Sequence, residues 1–218
     1  MKYYMIAGEA SGDLHGSNLI NEILSLDPSA DIRCWGGDKM AAAGATLVKH
    51  YKELAFMGFA EVIKNLPAIL KNFKFCKQDI LNYKPDVVIL IDYPGFNLRM
   101  AQWTKQNNFK NIFYISPQVW EWKESRIKSI KKYVDKMIVI LPFEKQFYKS
   151  WNYEVAYVGH PLVQVIENFK ASHSQIEQNS AVIALLPGSR RQEIKTKLPL
   201  MLEAIKNFPE NIFIVAKA

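Results

Sequence analysis

Short apolar runs alternate along the chain with longer amphipathic stretches. The short runs predict strands over 2–7, 31–35, 87–91, 112–115, 137–140, 155–158, 181–186 and 212–215. Between them, apolar positions at helical spacing predict helices near 14–25, 66–82, 96–107, 119–133, 143–150, 161–168 and 190–207. The run Val87-Val88-Ile89-Leu90-Ile91 is apolar throughout and lies between Asp86 and Asp92. Such a run suits a parallel strand covered on both faces. Strand and helix in regular alternation predict a doubly wound parallel α/β sheet.

The pattern also predicts a boundary. After Gly159-His160-Pro161 the chain turns polar, and a new strand-turn-helix-strand unit follows. The expected division is a domain over 1–170, a linker over 171–180 and the start of a second domain over 181–218. A lone β-α-β of roughly 40 residues cannot bury a core of its own, so either it extends the first sheet or a second domain is cut short, and truncation is the expectation.

Composition narrows the class. Of 218 residues, 49% are hydrophobic and 22% charged, which suits a globular chain, and 10 Gly with 10 Pro exclude a collagen-like one. A net charge of +7 favours an anionic partner and leaves phosphate, nucleic acid and lipid headgroup open. No apolar run approaches the ~20 residues that span a bilayer, and the first is too short for a signal peptide, so a cytoplasmic protein is expected. Cys34 and Cys76 read as core thiols of a reducing compartment. The histidines at 15, 50, 160 and 173 show no ligand spacing, so no metal is expected.

Candidate chemistry sits where strands end. Gly8-Glu9-Ala10-Ser11-Gly12-Asp13 joins the first strand to a helix, at the edge where doubly wound sheets bind ligands. Its free amides suit an anion or sugar hydroxyls, or the loop is simply a tight turn. Asp92 follows the buried strand, where burial would raise its proton affinity and fit it as a general base; the alternative is a turn or helix cap. His15 is the rival base. Ser116-Pro117-Gln118-Val119-Trp120-Glu121-Trp122 offers indoles for a sugar face or for the core. In Leu185-Leu186-Pro187-Gly188-Ser189-Arg190-Arg191 a glycine turn opens a helix, and Arg190 would help clamp a diphosphate. Over 55–82, an apolar stripe with Ile69, Phe73, Cys76 and Ile80 is flanked by Lys64, Lys71, Lys74 and Lys77. That pattern fits either a surface resting on an anionic bilayer or a core-facing helix with a basic outer face.

Taken in order, these motifs resemble the lipid-A-disaccharide synthases. The series is Gly8 to Asp13, Gly36-Gly37 with Met40 and Gly44, and Met57-Gly58 with Glu61-Val62. It continues through Asp92-Tyr93-Pro94-Gly95-Phe96-Asn97, Ser116 to Trp122, Leu141-Pro142-Phe143-Glu144, Val158-Gly159-His160-Pro161 and Leu186-Pro187-Gly188-Ser189-Arg190. The resemblance implies a GT-B glycosyltransferase of lipid A biosynthesis in Gram-negative bacteria. Its architecture is two Rossmann-like domains facing each other across a cleft, of which this chain would hold only the start of the second.

What the resemblance implies is specific. UDP-2,3-diacylglucosamine is joined to 2,3-diacylglucosamine 1-phosphate with inversion and release of UDP, without metal or cofactor, at the cytoplasmic face of the inner membrane. Asp92 would be the catalytic base. Ser11, Gly12, Asp13, Met57, Gly58 and Glu61 would contact substrate, as would Asn97, Ser116, Gln118 and Trp120. Gly188, Ser189 and Arg190 would hold the nucleotide. Phe56, Phe59, Val62, Ile63, Leu66, Ile69, Leu70 and Phe73 would meet acyl chains or the membrane. The family's C-terminal portion implies a homodimer of the full-length form. The alternatives are another GT-B enzyme such as a UDP-sugar epimerase, and a non-catalytic fragment binding acylated sugar phosphate at the membrane. UDP binding separates the fragment from the enzymes.

Overall fold

The apolar runs assemble into a seven-stranded, all-parallel sheet in the order β3-β2-β1-β4-β5-β6-β7. The strands are β1 (Lys2–Ala7), β2 (Asp31–Gly36), β3 (Thr46–His50), β4 (Val87–Ile91), β5 (Asn111–Tyr114), β6 (Lys136–Val139) and β7 (Ala156–Tyr157). The computed structural model describes residues 1–54, 66–122, 124–172, 182–188 and 191–216. Helices α1 (Ala10–Leu26), α2 (Asp38–Ala42), α3 (Leu66–Tyr83) and α4 (Pro94–Gln106) connect the earlier strands. Helices α5 (Val119–Trp122), α6 (Arg126–Tyr133), α7 (Pro142–Ser150) and α8 (Leu162–Ser172) follow.

Strand alternation divides the core into two layers. Tyr4 and Ile6 of β1 face Phe73, Cys76 and Ile80 of α3 with Phe96 and Met100 of α4. Met5 and Ala7 face the other way, with Ile20 of α1 and Met40 of α2. β4 is buried at every position, as its unbroken apolar run requires. Burial holds the Cys34 thiol at about 12 and raises Cys76 as well, so both are inert core thiols. Arg33 locks α3 to β2: its Nε and Nη2 donate to Asp79 at 2.9 and 2.7 Å, and the Tyr4 hydroxyl donates to the same carboxylate at 2.7 Å.

Three elements depart from the sequence reading. β3 is an edge strand of half-exposed residues, so its apolar signal is weak. The five residues of α2 are too few to show a helical period. The single helix expected over 119–133 is two, α5 and α6.

The chain divides into two compact units, Met1–Val165 and Ile166–Ala218, so the division falls within α8. In the second unit, β8 (Val182–Leu185) pairs in parallel with β9 (Ile212–Val215) across α9 (Arg191–Ala204). No described residue of β8, β9 or α9 is fully buried, as expected of one crossover without a second covering layer.

Candidate functional site

The strand order turns back on itself between β1 and β4. From β1 the chain winds outward through β2 to β3, then returns to place β4 on the other side of β1. The connections from these two neighbours leave in opposite directions and open a crevice at their carboxyl ends, where doubly wound sheets bind ligands. Gly8-Glu9 leads from β1 into α1, and Asp92-Tyr93 leads from β4 into α4. The two loops the sequence singles out are therefore neighbours at one switch point.

Asp92 and Tyr93 both adopt the left-handed conformation, with φ of 44° and 49°. Non-glycine residues pay about 1–3 kcal/mol each for such backbone, so neighbouring structure must hold them. Here the Asp92 amide donates to Tyr114 O at 3.0 Å, and the amides of Phe96 and Asn97 donate to Tyr93 O at 3.2 and 3.0 Å. Pro94 begins α4 and disfavours a right-handed helical conformation at Tyr93. The Asp92 carboxyl is pushed up to about 6, first by burial and then by the charge of Glu9, against one hydrogen bond from the Tyr93 amide. A carboxyl so poised is ionised at neutral pH yet holds a proton far better than an ordinary aspartate. Those are the requirements of a general base.

His15, the rival, is nine-tenths buried in α1 and meets the His160 ring edge-on at 6.3 Å between centroids. Burial and His160 hold its pKa below the ordinary value, and its Nδ1 has no hydrogen-bond partner.

The remaining expected contacts fall into distinct environments. Ser11 is exposed at the start of α1, while Gly12 is buried against Ala7. Asp13 is buried, and its carboxylate accepts the amides of Gly37, Met40 and Lys39 at 2.8, 3.0 and 3.2 Å. It caps α2 from α1. Asn97, an expected substrate contact, is fully buried, and its side-chain amide donates to backbone carbonyls. Ser116 is buried too, with its hydroxyl on Pro117 O at 3.0 Å and 2.6 Å from the Tyr148 hydroxyl. Gln118 is exposed, and Trp120 is half-buried edge-on against Phe143 and Phe147.

Beside Ser116, Ile115 carries a φ of 67°, a strained conformation for a β-branched residue. Buried Glu144 accepts the amides of Ile140 and Leu141 at 3.0 and 2.7 Å and so fixes the loop after β6. Sequence reasoning assigned no role to Tyr93, Glu9 or Glu144. The motif order was the only signal for them, because their roles depend on strand ends meeting in space.

The stripe on α3 turns inward. Phe73 is buried and stacks on Phe96 at 4.2 Å, and Ile69 packs against the same core. Both are expected from the sequence at an acyl or membrane face, and both pack into the core of the first unit. Leu70, Phe75 and Leu81 are exposed apolar side chains of the same helix. Phe56, Met57, Gly58, Phe59, Glu61, Val62 and Ile63 lie outside the described residues, as do Ser189, Arg190 and the side chain of Leu66. In the second unit Gly188 has a φ of 117°, and a β-carbon there would meet the Glu193 carboxylate at 2.3 Å. Among the described residues no helix is long and apolar enough to cross a membrane.

Comparison with known proteins gives one family. The model described as lipid-A-disaccharide synthetase matches residues 3–214. Lipid-A-disaccharide synthase 1 of Legionella pneumophila is 42% identical over 208 residues, covering 93% of this chain and 54% of that protein. The lipid-A-disaccharide synthase of Geobacter metallireducens is also 42% identical, with the same coverage. The chain thus spans about half the length of the curated relatives it matches. In structure it is similar to a UDP-GlcNAc 2-epimerase from Neisseria meningitidis, with a TM-score of 0.66, 13% identity, and 100% of this chain against 66% of that one. It is also similar to a spinosyn rhamnosyltransferase complexed with thymidine diphosphate, with a TM-score of 0.59, 9% identity, and coverage of 99% and 65%. At those identities the likeness is one of fold.

Proposed function

The chain belongs to the lipid-A-disaccharide synthetase family, and on that premise we propose that it acts in lipid A biosynthesis as an inverting glycosyltransferase with Asp92 as its base. The donor is UDP-2,3-diacylglucosamine and the acceptor 2,3-diacylglucosamine 1-phosphate. The acceptor 6-hydroxyl attacks the anomeric carbon of the donor, the carbon–oxygen bond to UDP breaks on the opposite face, and the hydroxyl proton passes to the Asp92 carboxylate. The observation that carries this reading is Asp92 itself: a strand-end carboxyl at the switch point, held in a strained turn and pushed up to about 6.

Other parts support the same reading. Charge developing on the leaving diphosphate needs fixed donors, and the Gly188 turn before α9 supports such a role for Gly188, Ser189 and Arg190. The domain over 1–170 would then take the acceptor, and 181–218 would begin the nucleotide side. Exposed Leu70 and Phe75 on α3, with exposed Lys71 and Lys74 between and beside them, support a peripheral position on the cytoplasmic face of the inner membrane.

The test is disaccharide formation by the 218-residue chain in detergent micelles, wild type against Asp92→Asn. Wild type is expected to form product at a rate that rises as pH passes about 6. The variant is expected to lose about 10²–10⁴-fold. Near-normal turnover by the variant would sink the assignment. The second reading is binding of the acylated sugar phosphate without transfer. Retained acceptor binding with neither product nor UDP binding would establish that instead.

A further inference from the structure

We propose that Asn97 is a positioning residue for Asp92, holding the loop after β4 in its left-handed turn from beneath and touching no substrate itself. This rests on the reading of Asp92 as the base. Asn97 lies in the first turns of α4 and has no exposed surface. Its Nδ2 donates to Asp92 O at 2.8 Å, to Ile91 O at 3.2 Å and to Ile6 O at 3.2 Å. Two of these carbonyls belong to the end of β4 and its loop, and the third to β1. One amide therefore ties both sides of the switch point together, with its shortest bond to the residue that carries the carboxyl.

The donor set fixes the orientation of the side chain. Three carbonyl oxygens converge on one atom, so that atom must be the nitrogen; the flipped amide would press its oxygen against all three. Asn97 Oδ1 is left buried without a partner. A buried polar atom without a partner is costly, and the cost is tolerated here because the two hydrogens at the other end of the group reach three acceptors, one hydrogen being shared between two of them. Leucine has the same branched skeleton but bulkier methyl groups and no donor, and aspartate would set carboxylate oxygens against carbonyl oxygens. Only an amide of this length meets the three acceptors.

The consequence reaches the carboxyl through the backbone. Asp92 stays left-handed because its amide is held by Tyr114 O and its carbonyl by Asn97. Release of the carbonyl lets φ return to the ordinary range, which swings the carboxyl toward water and away from Glu9, the charged neighbour that acts on it. Both changes lower its proton affinity.

The experiment is an NMR titration of the labelled 218-residue chain, following the Asp92 carboxyl carbon and the Asn97 side-chain amide. In wild type the carboxyl should titrate near 6, with the amide resonances moving at the same midpoint. In Asn97→Leu the proton affinity of Asp92 should fall roughly 100-fold, toward an ordinary aspartate. A simple loss of stability would leave that midpoint where it was. A folded Asn97→Leu chain that still titrates near 6 overturns the positioning role and leaves Asp92 intact as the base. A wild-type midpoint near 4 overturns the reading of Asp92 itself, and the positioning role with it. Should Asn97→Leu fail to fold, the wild-type titration decides: an Asn97 amide that does not move with Asp92 overturns the proposal, and one that does sustains it.

Discussion

The ring of Tyr93 lies directly over Gly8. A β-carbon on Gly8 would fall 2.3 Å from Tyr93 Cδ1 and 2.4 Å from Cγ, far inside van der Waals contact. The loop after β4 thus rests on the loop after β1, and only glycine leaves room for it. Gly8→Ala is expected to displace Tyr93 and destabilise the first unit by about 1–3 kcal/mol. In a Tyr93→Ala background the same change should cost much less, because the clash is gone. All five tryptophans lie between residues 35 and 151, so indole fluorescence in a urea titration reports this unit alone. Equal costs in the two backgrounds would contradict the contact.

The Asp13 carboxylate makes a second prediction. It receives three amides from the Gly37–Met40 turn, two of them in bonds shielded from solvent. Asp13→Ala leaves those donors without an acceptor and should cost about 2–4 kcal/mol. Asp13→Asn keeps one oxygen for Gly37 and Met40 and should cost less. If Asp13→Ala unfolded at the wild-type urea concentration, the carboxylate would not be holding α2.

Much of this arrangement is written locally. The run Val87 to Ile91 can only be a strand covered on both sides, and glycine at a strand end marks the loop after β1. The stripe of Ile69, Phe73, Cys76 and Ile80 is equally plain, but periodicity does not say what a stripe faces. It faces the core, and Lys71 and Lys74 beside it are exposed on the outer surface. Asp13 reads as a loop carboxylate until α2, more than twenty positions later, is brought beneath it. The left-handed pair Asp92-Tyr93 has no glycine or asparagine to announce it. Its support comes from Tyr114, Phe96 and Asn97, three residues that the sheet and α4 assemble. Fold is carried by patterns that repeat, whereas the tuning of the site depends on contacts that occur once.

Between β1, β2 and α3, the carboxylate of Asp79 is shared by Arg33 and Tyr4. Tyr4 is fully buried, so losing Asp79 takes the carboxylate acceptor from its hydroxyl where water cannot replace it. Asp79→Ala is expected to destabilise the first unit by about 2–4 kcal/mol, through a lost paired hydrogen bond and a partly buried guanidinium left alone. Asp79→Asn retains an acceptor for Tyr4 and should fall between. Urea midpoints read by tryptophan fluorescence check the order; an Asn variant no better than Ala would remove Tyr4 from the account.

The raised proton affinity of Asp92 sets stability against function. In the unfolded chain this carboxyl titrates at 3.8, and in the fold near 6. Between those values the folded protein binds the proton more tightly, so the contribution of this group is fully present below 3.8 and is lost as pH rises through 6. The loss by pH 8 is on the order of 3 kcal/mol at most, less whatever solvent screens of a half-buried group. Asp92→Asn keeps the shape and never carries the charge. It should therefore be more resistant to urea than wild type at pH 8, by about 1–3 kcal/mol, and indistinguishable at pH 4. The same substitution should slow transfer by about 10²–10⁴-fold. A variant that lost both activity and stability at pH 8 would show that the fold stabilises the ionised carboxylate. Asp92 would then be an ordinary structural carboxylate, with no raised proton affinity to use as a base.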